Sequence, residues 1–238
     1  MENKDFILGL ISGGLIAIFS IVISSILSYI TEICRNKKEE KRKLLKNIYF
    51  KIYTDIKYCF YTQNTFGKEH KVAKPITIFD VKNNLEVILE ENIGIIDNRL
   101  FNLYNRIKSE QFFIDSSSGT NNYKYLSYFG SLLKYMLDIN KTIKLFDKYY
   151  KKEVEDLYYK YVIWFILMKR IKDWEKVENI LNKDFHFKRS YKEITKSRFL
   201  NNIHYNKKIN TDEYIKIFIE YVRFEIPFPI FYRKYGTK

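Results

Sequence analysis

A stretch of 26 residues without a charged side chain lies near the start of the chain, at residues 6–31, between Asp5 and Glu32. As an α-helix it would be about 39 Å long, which exceeds the roughly 30 Å hydrocarbon core of a bilayer. We therefore predict a single transmembrane helix that crosses the membrane with some tilt.

Two other interpretations of this stretch are open. A secretory signal peptide has a basic start, a shorter apolar core and a cleavage site of small residues. Here Glu2 and Asp5 outnumber Lys4, and no Ala-x-Ala follows the apolar core. A buried helix of a soluble protein is the second alternative, but such helices are usually amphipathic.

The charges that flank the stretch predict its orientation. Only Lys4 precedes it, whereas seven basic residues follow it closely. Positive charge stays on the cytoplasmic side, so we expect the N-terminus outside and the C-terminal domain in the cytoplasm. We also expect these residues to contact anionic lipid headgroups. They are Arg35, Lys37, Lys38, Lys41, Arg42, Lys43 and Lys46.

Small residues form a second pattern inside the apolar stretch. They recur every three or four positions and so share one side of a helix. Small side chains let two membrane helices approach closely, and serines can hydrogen-bond across the contact. The pattern predicts self-association into a homo-oligomer, although Gly and Ser are also generally common in membrane helices. The residues are Gly9, Gly13, Ala17, Ser20, Ser24 and Ser28.

Composition indicates an all-α fold. The 238 residues include only three prolines and eight glycines, so few positions interrupt a helix. We predict three segments: residues 1–33 as tail and transmembrane helix, 34–74 as a basic juxtamembrane helix and loop, and 75–238 as a cytoplasmic helical bundle. The abundance of Lys, Ile, Asn, Tyr and Phe is typical of a bacterium with an AT-rich genome.

The apolar pattern places helices along most of the remaining chain. It predicts a helix from residue 32 to 62, a pair of helices divided near Gly94, and a long helical stretch that includes residues 126–150. Residues 161–168 are the most apolar after the N-terminal stretch. Eight residues are too short to cross a bilayer, so we predict a central core helix, with a re-entrant membrane segment as the alternative.

Several residues have the spacing of helix caps. Thr77 and Asp80 fit a capping box, although residues 76–81 could instead be extended, and Ser190 with Glu193 fits a second one. One further helix is predicted from about Asp173 to Asn182, and the last helix is predicted to begin at Asn210 or Thr211. Residues 115–122 are predicted to form a loop, and the apolar tail, residues 226–232, is expected to pack against the bundle.

No common catalytic signature is present in the sequence. It contains no P-loop, no dinucleotide-binding glycine motif, no H-E-x-x-H and no paired-cysteine zinc site. We therefore predict neither a cofactor nor a metal site. Cys34 and Cys59 form no disulfide framework, which suits a reducing cytoplasm; we expect a juxtamembrane side chain and a small buried side chain, respectively.

One short motif offers an enzymatic alternative. Residues 198–204 read R-F-L-N-N-I-H, an R-x5-H on a predicted helix. This spacing resembles that of HEPN ribonucleases, which are all-helical and usually dimeric. The resemblance implies that Arg198 stabilises a phosphate and that His204 acts in acid–base cleavage of RNA. Phe199 departs from the family, in which the residue after the arginine is often polar.

Aromatic and basic residues also alternate, at residues 148–152 (KYYKK) and 158–161 (YYKY). Such segments can stack on single-stranded nucleic acid, which gives a second alternative, a membrane-tethered nucleic-acid-binding protein. The other interpretation is that the tyrosines cover the core while the lysines face water.

The sequence thus predicts a membrane-anchored cytoplasmic helical protein that acts as a non-enzymatic interaction, sensor or effector module. Its partners would be an anionic bilayer, further copies of itself and an unidentified cytoplasmic protein. The architecture is also compatible with a stress or anti-phage effector whose assembled helices perturb the membrane.

Overall fold

The computed structural model describes residues 2–63, 76–110, 123–182, 189–196, 204 and 209–223, with side chains from residue 17 onward. Within these ranges the regular elements are helices and none is a strand, which confirms the all-α fold. The chain divides into two compact units. They are an N-terminal unit, Met1–Lys43, and a C-terminal unit, Leu44–Lys238. The three-segment division made from the sequence stays a prediction.

The described helices follow one another along the chain. In chain order they are α1 (Glu2–Leu44), a π-helical turn (Leu45–Tyr49), α2 (Phe50–Gln63), α3 (Ile78–Glu91), α4 (Asn98–Glu110), α5 (Tyr123–Ile143), α6 (Lys148–Ile171), α7 (Trp174–Leu181), α8 (Tyr191–Lys196) and α9 (Thr211–Arg223).

The core of the C-terminal unit is built around α6, which packs against α5, α7 and α8. Tyr161, Trp164 and Leu167 on this helix are all fully buried. The Tyr161 hydroxyl donates a 2.7 Å hydrogen bond to the backbone oxygen of Ile56 in α2. Residues 161–168 therefore belong to a central core helix, as the sequence predicts, and not to a re-entrant membrane segment.

A π-helical turn separates α1 from α2, where the sequence predicts a continuous α-helix. The Phe50 amide donates to the backbone oxygen of Leu45 across this wider turn. Leu45, Ile48 and Tyr49 are all buried. A π turn takes more residues than an α turn, so it changes which side chains face the core.

The predicted helix caps are present. The Asp80 amide donates to the Thr77 hydroxyl at 3.2 Å, and the Thr77 amide donates to the Asp80 carboxylate at 2.8 Å. The alternative of an extended segment at residues 76–81 is wrong, since α3 begins at Ile78. The second capping box, Ser190 with Glu193, is confirmed, and Asn210 rather than Thr211 caps α9. Asp173 caps α7, where the sequence predicted a residue inside the helix.

The predicted long helical stretch at residues 126–150 is divided into two helices. Between α5 and α6, Lys144 adopts a left-handed conformation with φ of 51°. The buried Asn140 side chain accepts a 2.8 Å hydrogen bond from the Phe146 amide, and Asp147 caps α6 by accepting one of 2.7 Å from the Tyr150 amide. Side-chain hydrogen bonds thus form a corner without glycine or proline.

Two further predictions concern residues outside the described ranges. They are the loop at residues 115–122 and the packing of the apolar tail at residues 226–232.

Candidate functional site

The described apolar part of α1 exposes its side chains. Nine large apolar residues between Ile18 and Ile30 are 49–67% exposed, and the apolar window is 0% buried. Full burial of one such side chain is worth roughly 1.5–3 kcal/mol, so in water this surface would be strongly unfavourable. By length and composition α1 qualifies as a membrane span, and among the described helices it is the one that does.

These nine residues cover most of the helix circumference. At 3.6 residues per turn, Leu27 and Ile21 border one side of about 120° that carries no large apolar residue. Ala17, Ser20, Ser24 and Ser28 occupy that side. All four are exposed, whereas the exposure of Gly9 and Gly13 is not among the features that the structure describes. Whether this small-residue side contacts a second helix stays a prediction.

One polar group within the apolar stretch is satisfied inside its own helix. The Thr31 hydroxyl donates a 2.7 Å hydrogen bond to the backbone oxygen of Leu27. Such a bond gives the hydroxyl a partner where the hydrocarbon of a bilayer supplies none.

The basic residues that follow the apolar stretch are widely spread around the helix. They cover about 240° of its circumference, and all are exposed except Lys41, which is half-buried. A helix that lies flat on a membrane would instead carry its lysines on one side. The distribution fits a helix that leaves the bilayer through the headgroups. The residues are Arg35, Lys37, Lys38, Lys41, Arg42, Lys43 and Lys46.

The two cysteines lie in different surroundings. Cys34 is exposed in α1, whereas Cys59 is buried in α2. Burial raises the pKa of the Cys59 thiol to about 12, against a smaller lowering by the Tyr161 hydroxyl. Cys59 is therefore protonated at neutral pH and is not an activated nucleophile. Among the described residues no group of three His, Cys, Asp or Glu side chains could hold a metal ion.

The ribonuclease motif is only partly described, because Arg198 lies outside the described ranges. His204 is half-buried, with its ring 6.5 Å from the Tyr214 ring. The Arg170 guanidinium lies 5.5 Å from the centre of the same Tyr214 ring. Burial lowers the pKa of His204, and Lys169 and Arg170 lower it further. A neutral imidazole beside two cations could accept a proton near a bound phosphate.

We expect His204 to make the stability of the protein depend on pH near 6.5, the ordinary pKa of a histidine. The folded state lowers the pKa of this imidazole, so the unfolded state binds the proton more readily. Stability therefore decreases as the pH falls through this region. Thermal unfolding followed by circular dichroism measures this effect. On acidification, the unfolding midpoint of His204→Gln should decrease less than that of the wild type. His70 and His186 are common to both proteins, and identical pH profiles would contradict the lowered pKa of His204.

The two aromatic–basic segments differ in how far their tyrosines are buried. In the second one Tyr161 is buried and Tyr158 and Tyr159 are half-buried, so these tyrosines cover the core. In the first one Tyr150 packs against Phe146, with ring centres 4.9 Å apart, whereas Tyr149 is 84% exposed.

Lys160 was expected to face water, and that expectation is wrong. Its side chain is only 12% exposed, and its Nζ lies 3.0 Å from the Asp156 carboxylate. The same Nζ lies 5.2–5.7 Å from the ring centres of Phe60, Tyr61 and Tyr191. Burial works against the charge, but Asp156 and Tyr61 outweigh it and raise the pKa of Lys160. This cation holds α2, α6 and α8 together.

A second buried ionic group links α3 to α4. Glu86, whose side chain is 12% exposed, binds Lys82 and Lys108 at 2.8 Å each. The pairs Lys82–Glu86 and Asp156–Lys160 have the local i,i+4 spacing of a helix. The contacts of Glu86 with Lys108 and of Lys160 with rings on α2 and α8 do not follow from local sequence patterns, because those partners belong to other helices.

Comparison of the chain with models of protein families, with curated proteins and with solved structures found no match.

Proposed function

We propose that this chain is a single-pass membrane protein whose C-terminal unit acts in the cytoplasm as a non-enzymatic interaction module. The observation that carries the proposal is the exposed apolar surface of α1, where nine large side chains find no cover among the described residues. A bilayer would bury all of them at once. The seven basic residues from Arg35 to Lys46 support a cytoplasmic C-terminal unit and contact with anionic headgroups.

Cysteine labelling in intact cells tests the anchor and its orientation. Replacing the exposed Cys34 by serine leaves only the buried Cys59 thiol. In that background, Asn3→Cys should react with a membrane-impermeant maleimide applied from outside, whereas Tyr149→Cys should react only after permeabilisation. The opposite pattern would reverse the orientation. Recovery of the protein in the soluble fraction would refute the membrane anchor.

We further propose that the span assembles into homo-oligomers through its small-residue side. Gly13→Ile should reduce cross-linked oligomers in native membranes several-fold, because a large side chain separates the two backbones. Gly14→Ile is the matched control, since residue 14 lies outside the small-residue side. Equal cross-linking of wild type and Gly13→Ile would refute the contact. If assembly makes the protein toxic, Gly13→Ile should also restore growth.

RNA cleavage is the alternative function that a described feature favours, since burial and the positive charges of Lys169 and Arg170 lower the pKa of His204. The full-length protein in detergent should be assayed on labelled RNA with Arg198→Ala and His204→Ala. Cleavage that both variants abolish would replace the non-enzymatic proposal. Tight, salt-sensitive binding of RNA without cleavage would instead favour the nucleic-acid-binding alternative.

A further inference from the structure

The corner between α5 and α6 exposes apolar side chains in a fixed conformation. Leu145 is 52% exposed and Tyr149 is 84% exposed. Asn140 is only 6% exposed and fixes the corner through two hydrogen bonds. Its side-chain oxygen accepts one from the Phe146 amide, and its backbone oxygen accepts one of 2.8 Å from the Lys144 amide. Exposure of these side chains is therefore built into the fold.

Aromatic residues support the corner from beneath. Phe146 and Tyr150 pack edge to face, with ring centres 4.9 Å apart. Phe50, at the start of α2 and 37% exposed, lies 6.0 Å from Phe146 and 6.2 Å from Tyr150. Tyr53 is 5.4 Å from Tyr150. The exposed side chains thus stand on a packed aromatic base.

Lysines surround these apolar residues. Lys144, Lys148, Lys151 and Lys152 are all exposed, and none forms an ion pair with a residue in the described part of the chain. The one acidic side chain among them, Asp147, caps α6. Three of the lysines lie in the first two turns of α6, where positive charge opposes the helix dipole. Helix stability therefore does not explain them.

We propose that this corner, comprising Lys144, Leu145, Lys148, Tyr149, Lys151 and Lys152, binds the surface of an anionic membrane. The proposal rests on the proposed membrane anchor and adds a second lipid contact, outside the basic segment that follows the span. Tyrosine and lysine are the residues that lie at headgroup depth, because each has an apolar body and a polar tip.

A membrane fits this surface better than a protein partner does. Lysine is depleted in protein–protein interfaces, whereas anionic headgroups attract each lysine that approaches them. The tether is also short. Twelve residues lie between Thr31, at the end of the apolar stretch, and Leu44, where the C-terminal unit begins, so as a helix the two are about 20 Å apart.

Fluorescence of full-length protein in lipid nanodiscs tests the proposal. Tyr149→Cys in the Cys34→Ser background would carry an environment-sensitive fluorophore, with nitroxide quenchers on the lipid headgroups. We expect a blue shift and strong quenching in discs that contain phosphatidylglycerol. In discs of phosphatidylcholine alone, or at high salt, both signals should decrease several-fold. Lys148→Glu with Lys151→Glu should lower the equilibrium constant for contact with the membrane about fivefold or more per substitution.

Phe79→Cys provides the matched control. Phe79 is 49% exposed, and its ring lies 6.2 Å from Tyr125 at the other end of α5. That end is about 28 Å along the helix from Lys144. Quenching at residue 149 no stronger than at residue 79 would overturn the proposal. A blue shift at residue 149 that increases with protein concentration but comes without quenching by the lipid nitroxides would also overturn the proposal. The partner would then be a second copy of the chain.

A third label separates this inference from the anchor. Ile23→Cys lies in the exposed apolar part of α1 and should be quenched by nitroxides placed deep in the acyl chains. Deep quenching at residue 23 without quenching at residue 149 would refute the corner contact alone. No quenching at residue 23 would refute the anchor, and the corner contact with it.

Discussion

Arginine at both Ile18 and Val22 should release the protein from the membrane. These residues lie near the middle of the apolar stretch and are 60% and 49% exposed, with no cover from the described residues. On the insertion scale an arginine at the centre of a span costs about 2.5–3.5 kcal/mol, and an isoleucine or valine contributes about −0.3 to −0.6 kcal/mol. The double substitution should therefore cost about 6–8 kcal/mol of insertion free energy.

Flotation of cell extracts through a density gradient measures this effect, because inserted protein floats with lipid whereas aggregates do not. Ile18→Leu with Val22→Leu should float like the wild type. Asn102→Arg with Asn105→Arg adds the same charge on exposed positions of α4 and should also float. Flotation of the Ile18→Arg, Val22→Arg variant at wild-type levels would show that α1 does not lie in the hydrocarbon.

The candidate span could be identified from the sequence because its evidence is local. A span depends on the length and composition of one continuous stretch, and residues 6–31 contain all of it. Helix caps are local in the same way. Thr77 with Asp80 and Ser190 with Glu193 satisfy backbone groups within three residues of each other, so their spacing alone predicted them.

The corner between α5 and α6 could not be found in this way. Sequence patterns detect helix ends mainly through glycine and proline, and neither occurs at residues 144–147. A lysine takes the left-handed position there, and the buried Asn140 stabilises it from within α5. Asparagine inside a helical pattern predicts nothing specific until its partner, the Phe146 amide, is known.

Long-range partners explain the other differences between the sequence-based predictions and the structure. Lys160 contacts Phe60 and Tyr61, about a hundred residues earlier, and Tyr191, further on in the chain. From the sequence it belongs to a run of lysines and tyrosines, which predicts a solvated side chain. Orientation in the membrane, contact along the small-residue side, and the roles of Arg198 and His204 stay predictions, since each depends on a partner outside the chain.

Trp164→Ala should strongly destabilise the C-terminal unit. The Trp164 side chain is fully buried, with ring centres of Phe60 and Tyr161 at 5.7 Å and of Trp174 at 5.9 Å. Truncation of a buried tryptophan to alanine costs about 3–5 kcal/mol, because a cavity remains. For a domain of this size that corresponds to a decrease of about 10 °C in the unfolding midpoint. Circular dichroism of the full-length protein in detergent measures it.

Two control variants show how large a change in the unfolding midpoint is expected for a smaller substitution in the core and for one at the surface. Trp164→Phe keeps most of the volume and removes an indole N–H that has no hydrogen-bond acceptor in the described part of the chain, so it should cost about 1–2 kcal/mol. Tyr149→Ala changes a side chain that is 84% exposed and should have almost no effect. A midpoint for Trp164→Ala equal to that of Tyr149→Ala would contradict the central position of Trp164 in the core.

The flotation and unfolding predictions together also test whether the two units are energetically independent of each other. Trp164→Ala should still float with lipid, because the apolar surface of α1 is unchanged, although its C-terminal unit unfolds at a lower temperature. Ile18→Arg with Val22→Arg should have the reverse effect, with loss of flotation and an unchanged unfolding midpoint in detergent. This independence is expected because each unit, Met1–Lys43 and Leu44–Lys238, has its own internal contacts. If either variant changed both properties, the anchor and the body would be energetically coupled.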